Sequence, residues 1–208
     1  MAALVFGGRA EAASADVSTR AVTRALRWVG LKSLRQVRRD AQDDCVGLAL
    51  LAYKQQDLNL IPDRLLPNEG GVGAIHRRAR ALKALKAQPA PGDLVFFRQT
   101  YDRNRDGRLN DGLTHVGVVE SVDEEGTVTF IHRVGGGVKR GHLNVRNPHA
   151  RKDAEGHVLN DWLRNAQGKA PARLTGELFA GYASVDDRWV VQPRPSRPRL
   201  ARATPVRR

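Results

Sequence analysis

Leu113-Thr114-His115-Val116-Gly117-Val118-Val119-Glu120-Ser121-Val122-Asp123-Glu124-Glu125-Gly126-Thr127-Val128-Thr129-Phe130-Ile131-His132-Arg133-Val134 is two β-rich runs around an acidic, glycine-containing turn. Short runs of β-branched and aromatic residues bounded by turn residues read as strands, so this stretch predicts an antiparallel hairpin. A hairpin symmetric about Glu124-Glu125 sets His132 opposite Gly117 and His115 opposite Val134. His115 and His132 then share one face as diagonal neighbours, roughly 5–8 Å apart. A register slipped by one residue would put them on opposite faces. Gly117, lacking a side chain, leaves space there for an imidazole.

Working upstream, Pro91-Gly92 ends a helical pattern and Asp93–Phe97 reads as a short buried strand. The pattern it ends, Val72 to Ala87, places Val72, Ile75, Ala79, Leu82 and Leu85 on one stripe. A loop rich in Pro, Asn and Gly covers 57–71. Before it, Asp43-Asp44 precede the apolar run Cys45–Tyr53, a helix-start signal followed by a helix apolar nearly all round, hence buried. Val22, Leu26 and Val29 predict a further helix from Thr19 to about Val29. Downstream, strands are expected at Val138–Val145, Leu178–Val185 and Trp189–Val191, and a helix near Leu159–Asn165. Helices first and an antiparallel sheet second is an α+β layout. One domain is expected over 18–191. Residues 1–17 are expected to be a flexible start or the remnant of an export signal, since Ala13-Ser14-Ala15 resembles a cleavage site. Residues 192–208 are expected to be a disordered Pro/Arg tail.

The net charge is +13, and six of the arginines responsible (194, 197, 199, 202, 207 and 208) sit in that tail, leaving +7 elsewhere. Such a surface attracts polyanions. An aromatic share of 5% disfavours base stacking, and no nucleic-acid motif is present, so nucleic acid is an unlikely partner. No run of 18 apolar residues exists to span a membrane. The lone cysteine excludes an internal disulfide. The oligomeric state is not legible.

Cys45 at a helix start has one of the two features that turn a thiol into a nucleophile, the other being a nearby imidazolium. Gly47 lets a substrate or a backbone segment approach closely. His115 and His132 on adjacent strands fit a base and the group that orients it. The same residues also fit a small buried cysteine and two ordinary strand histidines. Zinc would need a further ligand at recognisable spacing, and none is evident.

Taken together, Asp44-Cys45-Val46-Gly47-Leu48, Pro91-Gly92-Asp93-Leu94-Val95-Phe96-Phe97, His115-Val116-Gly117-Val118-Val119 and Phe130-Ile131-His132 resemble the NlpC peptidases and their relatives, the CHAP amidases, over about residues 40–140. The resemblance implies a papain-like fold and a triad of Cys45, His115 and His132. It also implies hydrolysis of amide bonds in peptidoglycan stem peptides or cross-bridges, and a location in the cell envelope or outside the cell. A histidine as third member is NlpC-like, whereas the 17-residue interval between the histidines is CHAP-like. Val46 stands where NlpC proteins usually have serine, and only Trp28-Val29-Gly30 resembles their upstream aromatic segment. By analogy the Cys45 backbone N–H would stabilise the oxyanion. A catalytically silent wall- or partner-binding domain, or a basic nucleic-acid binder, are the alternative functions.

Asp102, Asn104, Asp106, Gly107, Asn110 and Asp111 follow the opening of a calcium loop, but Leu113 occupies the twelfth position where a bidentate glutamate belongs. A structural calcium or a turn rich in Asp and Asn both fit this spacing. No cofactor is required for the chemistry.

Overall fold

The computed structural model describes residues 7–54, 58–166 and 170–190; the expectation for the tail lies outside them. Helix α1 runs Gly7–Trp28. It covers residues expected to be a flexible start, because Ala10, Ala12, Ala13 and Ala15 carry the highest helix propensity. Its buried stripe is Val17, Ala21 and Ala25, while Leu26 is 36% exposed. The small alanines let α1 lie close against the rest of the core.

Helix α2 is Cys45–Ala52, capped by Asp44, whose side chain accepts the Gly47 N–H. Seven of its eight residues are buried, as an all-apolar run requires. Helix α3 is Gly71–Ala81, shorter than the apolar stripe predicts. Lys83 takes a left-handed φ of 54° and breaks the helix. Leu85 then joins strand β1 (Leu85–Lys86), 40% exposed, instead of extending the stripe.

The strands that follow are β2 (Leu94–Arg98), β3 (Leu113–Val122), β4 (Val128–Val134), β5 (Gly137–Leu143), β6 (Trp162–Arg164) and β7 (Arg173–Leu174). A one-turn helix α4 (Thr175–Leu178) leads into β8 (Phe179–Ala183). The segment expected to be a helix near 159–165 is instead β6, paired with β7. Two bonds hold this stretch extended: the Asp161 N–H donates to His142 O and the Thr175 N–H to Asp161 O. Trp189 closes a 3-10 turn, Asp187–Trp189, in place of the expected last strand.

The main sheet has the order β1-β8-β2-β3-β4-β5, with every pairing antiparallel. The fold is thus α+β, with helices on a six-stranded antiparallel sheet. One face, with Leu94, Phe96, Val116, Val118 and Ile131, packs on the helices. The other, with Val95, Phe97, Val119, Phe130 and Tyr182, packs around α4. Asp93 fastens the turn into β2 by accepting from the Ala90 N–H (2.6 Å) and pairing with Lys86 Nζ (2.9 Å). Gly92 has φ 82°, and a Cβ there would lie 2.4 Å from Ser18 Cβ, which explains the Pro-Gly-Asp sequence.

Candidate active site

The hairpin register decides whether the two histidines can cooperate. Near the turn, Val122 pairs with Val128 and Ser121 with Thr129; after a bulge at Glu120, Val119 pairs with Phe130 and Val118 with Ile131. Continued without the bulge, the turn-end register would set His132 opposite Val118, on the wrong face from His115. With it, the rings lie together: His115 Nε2 and His132 Nδ1 are 2.9 Å apart. Both are 7% exposed. They lie on the side of Phe97 and Phe130, with His115 6.1 Å from the Phe97 ring and His132 4.9 Å from the Phe130 ring. The space above Gly117 is filled by Phe130, whose Cδ2 would be 2.7 Å from an added Cβ; the expected occupant was an imidazole.

Cys45 comes from the helix side of the sheet. The β3–β4 ladder stops at Val118 and Ile131. Beyond that point the thiol donates to the Thr114 carbonyl, at 4.0 Å, beside His115. Thr114 is itself fixed, its Oγ1 lying 2.8 Å from both the N–H and the Oγ1 of Thr100. In this conformer the thiol bonds that carbonyl and not an imidazole. Cys45 and His115 line one cleft of about 590 Å³.

Burial, more than the helix start, sets the protonation states. Desolvation pushes the Cys45 thiol up to about 11, against the lowering effect of the Val116, Val46 and Cys45 backbone groups. The expectation of an acidified thiol is thereby corrected, because Cys45 is buried, 7% exposed as a residue. Desolvation also lowers His115 to about 4, with the Asp44 charge acting in the opposite direction. His132 falls well below the ordinary histidine range, first through burial and then through His115. The resting site therefore holds a neutral thiol and two neutral imidazoles.

Gly47 has the structural use foreseen for it: a Cβ would sit 1.8 Å from the Gln42 carbonyl oxygen, so only glycine lets that backbone abut α2.

The CHAP domain family matches residues 38–133, a span containing all three of these side chains. No curated protein and no solved structure matches the chain. CHAP domains are generally hydrolases acting on peptidoglycan, as amidases or peptidases, which points to the cell wall as the place of action. No helix among the described residues is long and apolar enough to cross a membrane.

Around the cleft stand residues that spacing did not single out: Gln42, Tyr101, Arg103 and Arg133. Gln42 Nε2 donates to Asp44 Oδ2 at 2.6 Å. Arg103 Nη2 donates to Asn68 O at 2.7 Å and so ties the 102–111 loop to the start of α3. That loop uses its oxygens on its own backbone. Asp102 accepts from the Asp106 and Gly107 N–H groups, Asn104 Oδ1 from Asp106, Asp106 from Arg108, and Asp111 from Arg103 and Asn104, while Asn110 is exposed. The Asp102, Asp106 and Asp111 carboxylates do not converge as a ligand set. Among the described residues the group that does, within 4.8 Å, is Asp153, Glu155 and His157, in a separate surface turn.

Proposed function

We propose that the protein hydrolyses an amide bond of peptidoglycan stem peptides or cross-bridges, with Cys45 as nucleophile, His115 as base and His132 as the group orienting that base. The observation that carries this reading is the convergence on one cleft of the α2-start thiol and of an imidazole held by a second imidazole at 2.9 Å.

Because His115 Nε2 faces His132, its Nδ1 is the nitrogen left for the thiol. A neutral His115 that accepts at Nδ1 carries its proton on Nε2 and donates it to His132 Nδ1. With the thiol up at about 11 and His115 down at about 4, the pair rests uncharged. The proton passes from Sγ to Nδ1 as sulfur attacks the carbonyl carbon. The Cys45 N–H, at the unpaired start of α2, stabilises the oxyanion. The imidazolium returns its proton to the leaving amine, and His115 then takes one from the water that hydrolyses the thioester.

The Asp102, Asn104, Asp106, Asn110 and Asp111 oxygens would hold calcium in a structural role by giving up their bonds to the loop N–H groups, and no step above runs through it. Calorimetric titration of calcium into the full chain tests this; no heat at millimolar calcium removes it. The thiol's bond to Thr114 O favours a second reading, a catalytically silent wall-binding domain. Mass spectrometry of purified peptidoglycan digested by wild type and by Cys45→Ala separates the two. New free amine termini that need Cys45 support hydrolysis, and identical digests from both proteins sink it.

A further inference from the structure

Two charged residues beside the triad make the most directional contact between the nucleophile's helix and the histidine strands. Arg133 Nε donates to Asp43 Oδ1 at 2.9 Å and Arg133 Nη2 to Asp43 Oδ2 at 3.0 Å, a two-pronged pair bridging 90 residues of chain. Asp43 lies two residues before Cys45, and Arg133 directly follows His132. Both line the cleft, with side chains 21% and 11% exposed. Asp43 Oδ1 also accepts the Leu34 N–H at 2.9 Å, and Arg133 Nη1 donates to the Val134 carbonyl, so neither partner is free to swing.

We infer that Asp43 and Arg133 are positioning residues whose ion pair aligns the thiol with the imidazole pair. The inference rests on the hydrolytic reading above. Apart from the long thiol bond to Thr114 O, the packing of α2 on the sheet is apolar: Val46, Leu48 and Ala49 belong to the same core as Val116, Val118 and Ile131. Such contacts set a separation but not a rotation, because burial of apolar surface is non-directional. A guanidinium fork on a carboxylate fixes both. The ladder between β3 and β4 stops at Val118 and Ile131, so at His132 and Arg133 the backbone of β4 is paired with β5 and not with β3. The ion pair is what ties this end of β4 to the start of α2. It fixes β4 at Arg133, hence His132, hence the His115 ring bonded to it. Arg133 and the Leu34 amide hold the Asp43 carboxyl well below the usual carboxylate range, so the pair stays ionised wherever the enzyme works.

The test uses the full chain with Arg133→Lys and Asp43→Asn, and compares initial rates on purified peptidoglycan at limiting and saturating concentrations. Lysine keeps the charge but loses the fork. The expected result is a maximal rate down about 10- to 100-fold, as small misalignments give, with the half-saturating concentration little changed. In a His132→Ala background the same Arg133→Lys change should cost less than about threefold, since coupled residues are not additive. Wild-type rates in Arg133→Lys, or an undiminished loss in the His132→Ala background, overturn the inference. If Asp43→Asn does not fold, Arg133→Lys alone decides. Activity surviving in Cys45→Ala would sink the hydrolytic reading itself, a separate outcome from a neutral Arg133→Lys.

Discussion

Two hydrogen-bonded pairs built on sheet histidines differ in burial and in partner. His115 and His132 are nearly sealed, and each has the other as ring partner at 2.9 Å. His142, on β5, is 37% exposed and holds Asp161 Oδ2 at 2.9 Å through Nδ1, with its backbone N–H on the same oxygen at 2.8 Å. Burial drives the first pair down, His115 to about 4. The hydrogen bond to Asp161 raises His142 above the ordinary histidine value. The Asp161 charge also acts on His132, upward, and loses to desolvation. One residue type thus stays neutral where water is excluded and is readily protonated where a carboxylate is near.

The largest effects should come from breaking the buried pair and its thiol. Cys45→Ala and His115→Ala are expected each to lower the rate of peptidoglycan hydrolysis by about 10³-fold or more, as loss of a nucleophile or its base does, with unchanged far-UV circular dichroism. His132→Ala should slow turnover by less, about 10- to 100-fold, because it removes an orienting group and not the proton acceptor. His132→Asp sharpens the comparison by giving the buried base the partner type of His142. The acid limb of the pH–rate profile, expected near pH 4 in the wild type from the His115 value, should move up by about one unit or more. A limb that stays in place would show that burial alone governs that base.

Much of this arrangement was legible because it depends on local pattern. Alternation in 113–134 gave both strands and one shared face for the histidines, and Asp44 with the apolar run gave α2 and the place of Cys45. The bulge at Glu120 was not legible, since the acidic turn has no residue that marks it, yet it sets the register. The neutral thiol was missed because helix position is local whereas burial depends on the sheet closing over Cys45. In the sequence Arg133 is a strand residue and Asp43 part of a helix-start signal, and only tertiary folding pairs them. The stretch 159–165 went wrong for the same reason: its conformation is set by bonds to His142 and Thr175, not by its own periodicity.

The two pairs should also bend stability against pH in opposite directions. His115 is uncharged when folded down to about pH 4, while the unfolded chain takes up the proton near 6.5. The unfolded state therefore binds more protons between these values, and stability falls as pH drops from 6.5 to 4. The full shift corresponds to about 3 kcal/mol. Urea midpoints of wild type and His115→Gln at pH 7 and pH 4.5 should show the wild type losing more of its midpoint on acidification. Equal losses would mean the ring is not held neutral.

The smallest effect is expected at the carboxylate pair. Its raised folded value means that His142 contributes stability fully below the unfolded value of about 6.5 and loses it as pH rises through the folded value. Both side chains are more than a third exposed, at 37% and 35%, so solvent screening leaves the pair about 1 kcal/mol or less. His142→Ala should therefore cost little at pH 5.5, and less still at pH 8.5. The backbone N–H of residue 142 still holds Asp161 in that variant, so β5 keeps its place. Hydrolysis should stay within about twofold of wild type, since the ring bonds neither buried imidazole. A loss near that of His132→Ala would show that the charge of Asp161 reaches the base through His132, and that the two pairs act as one.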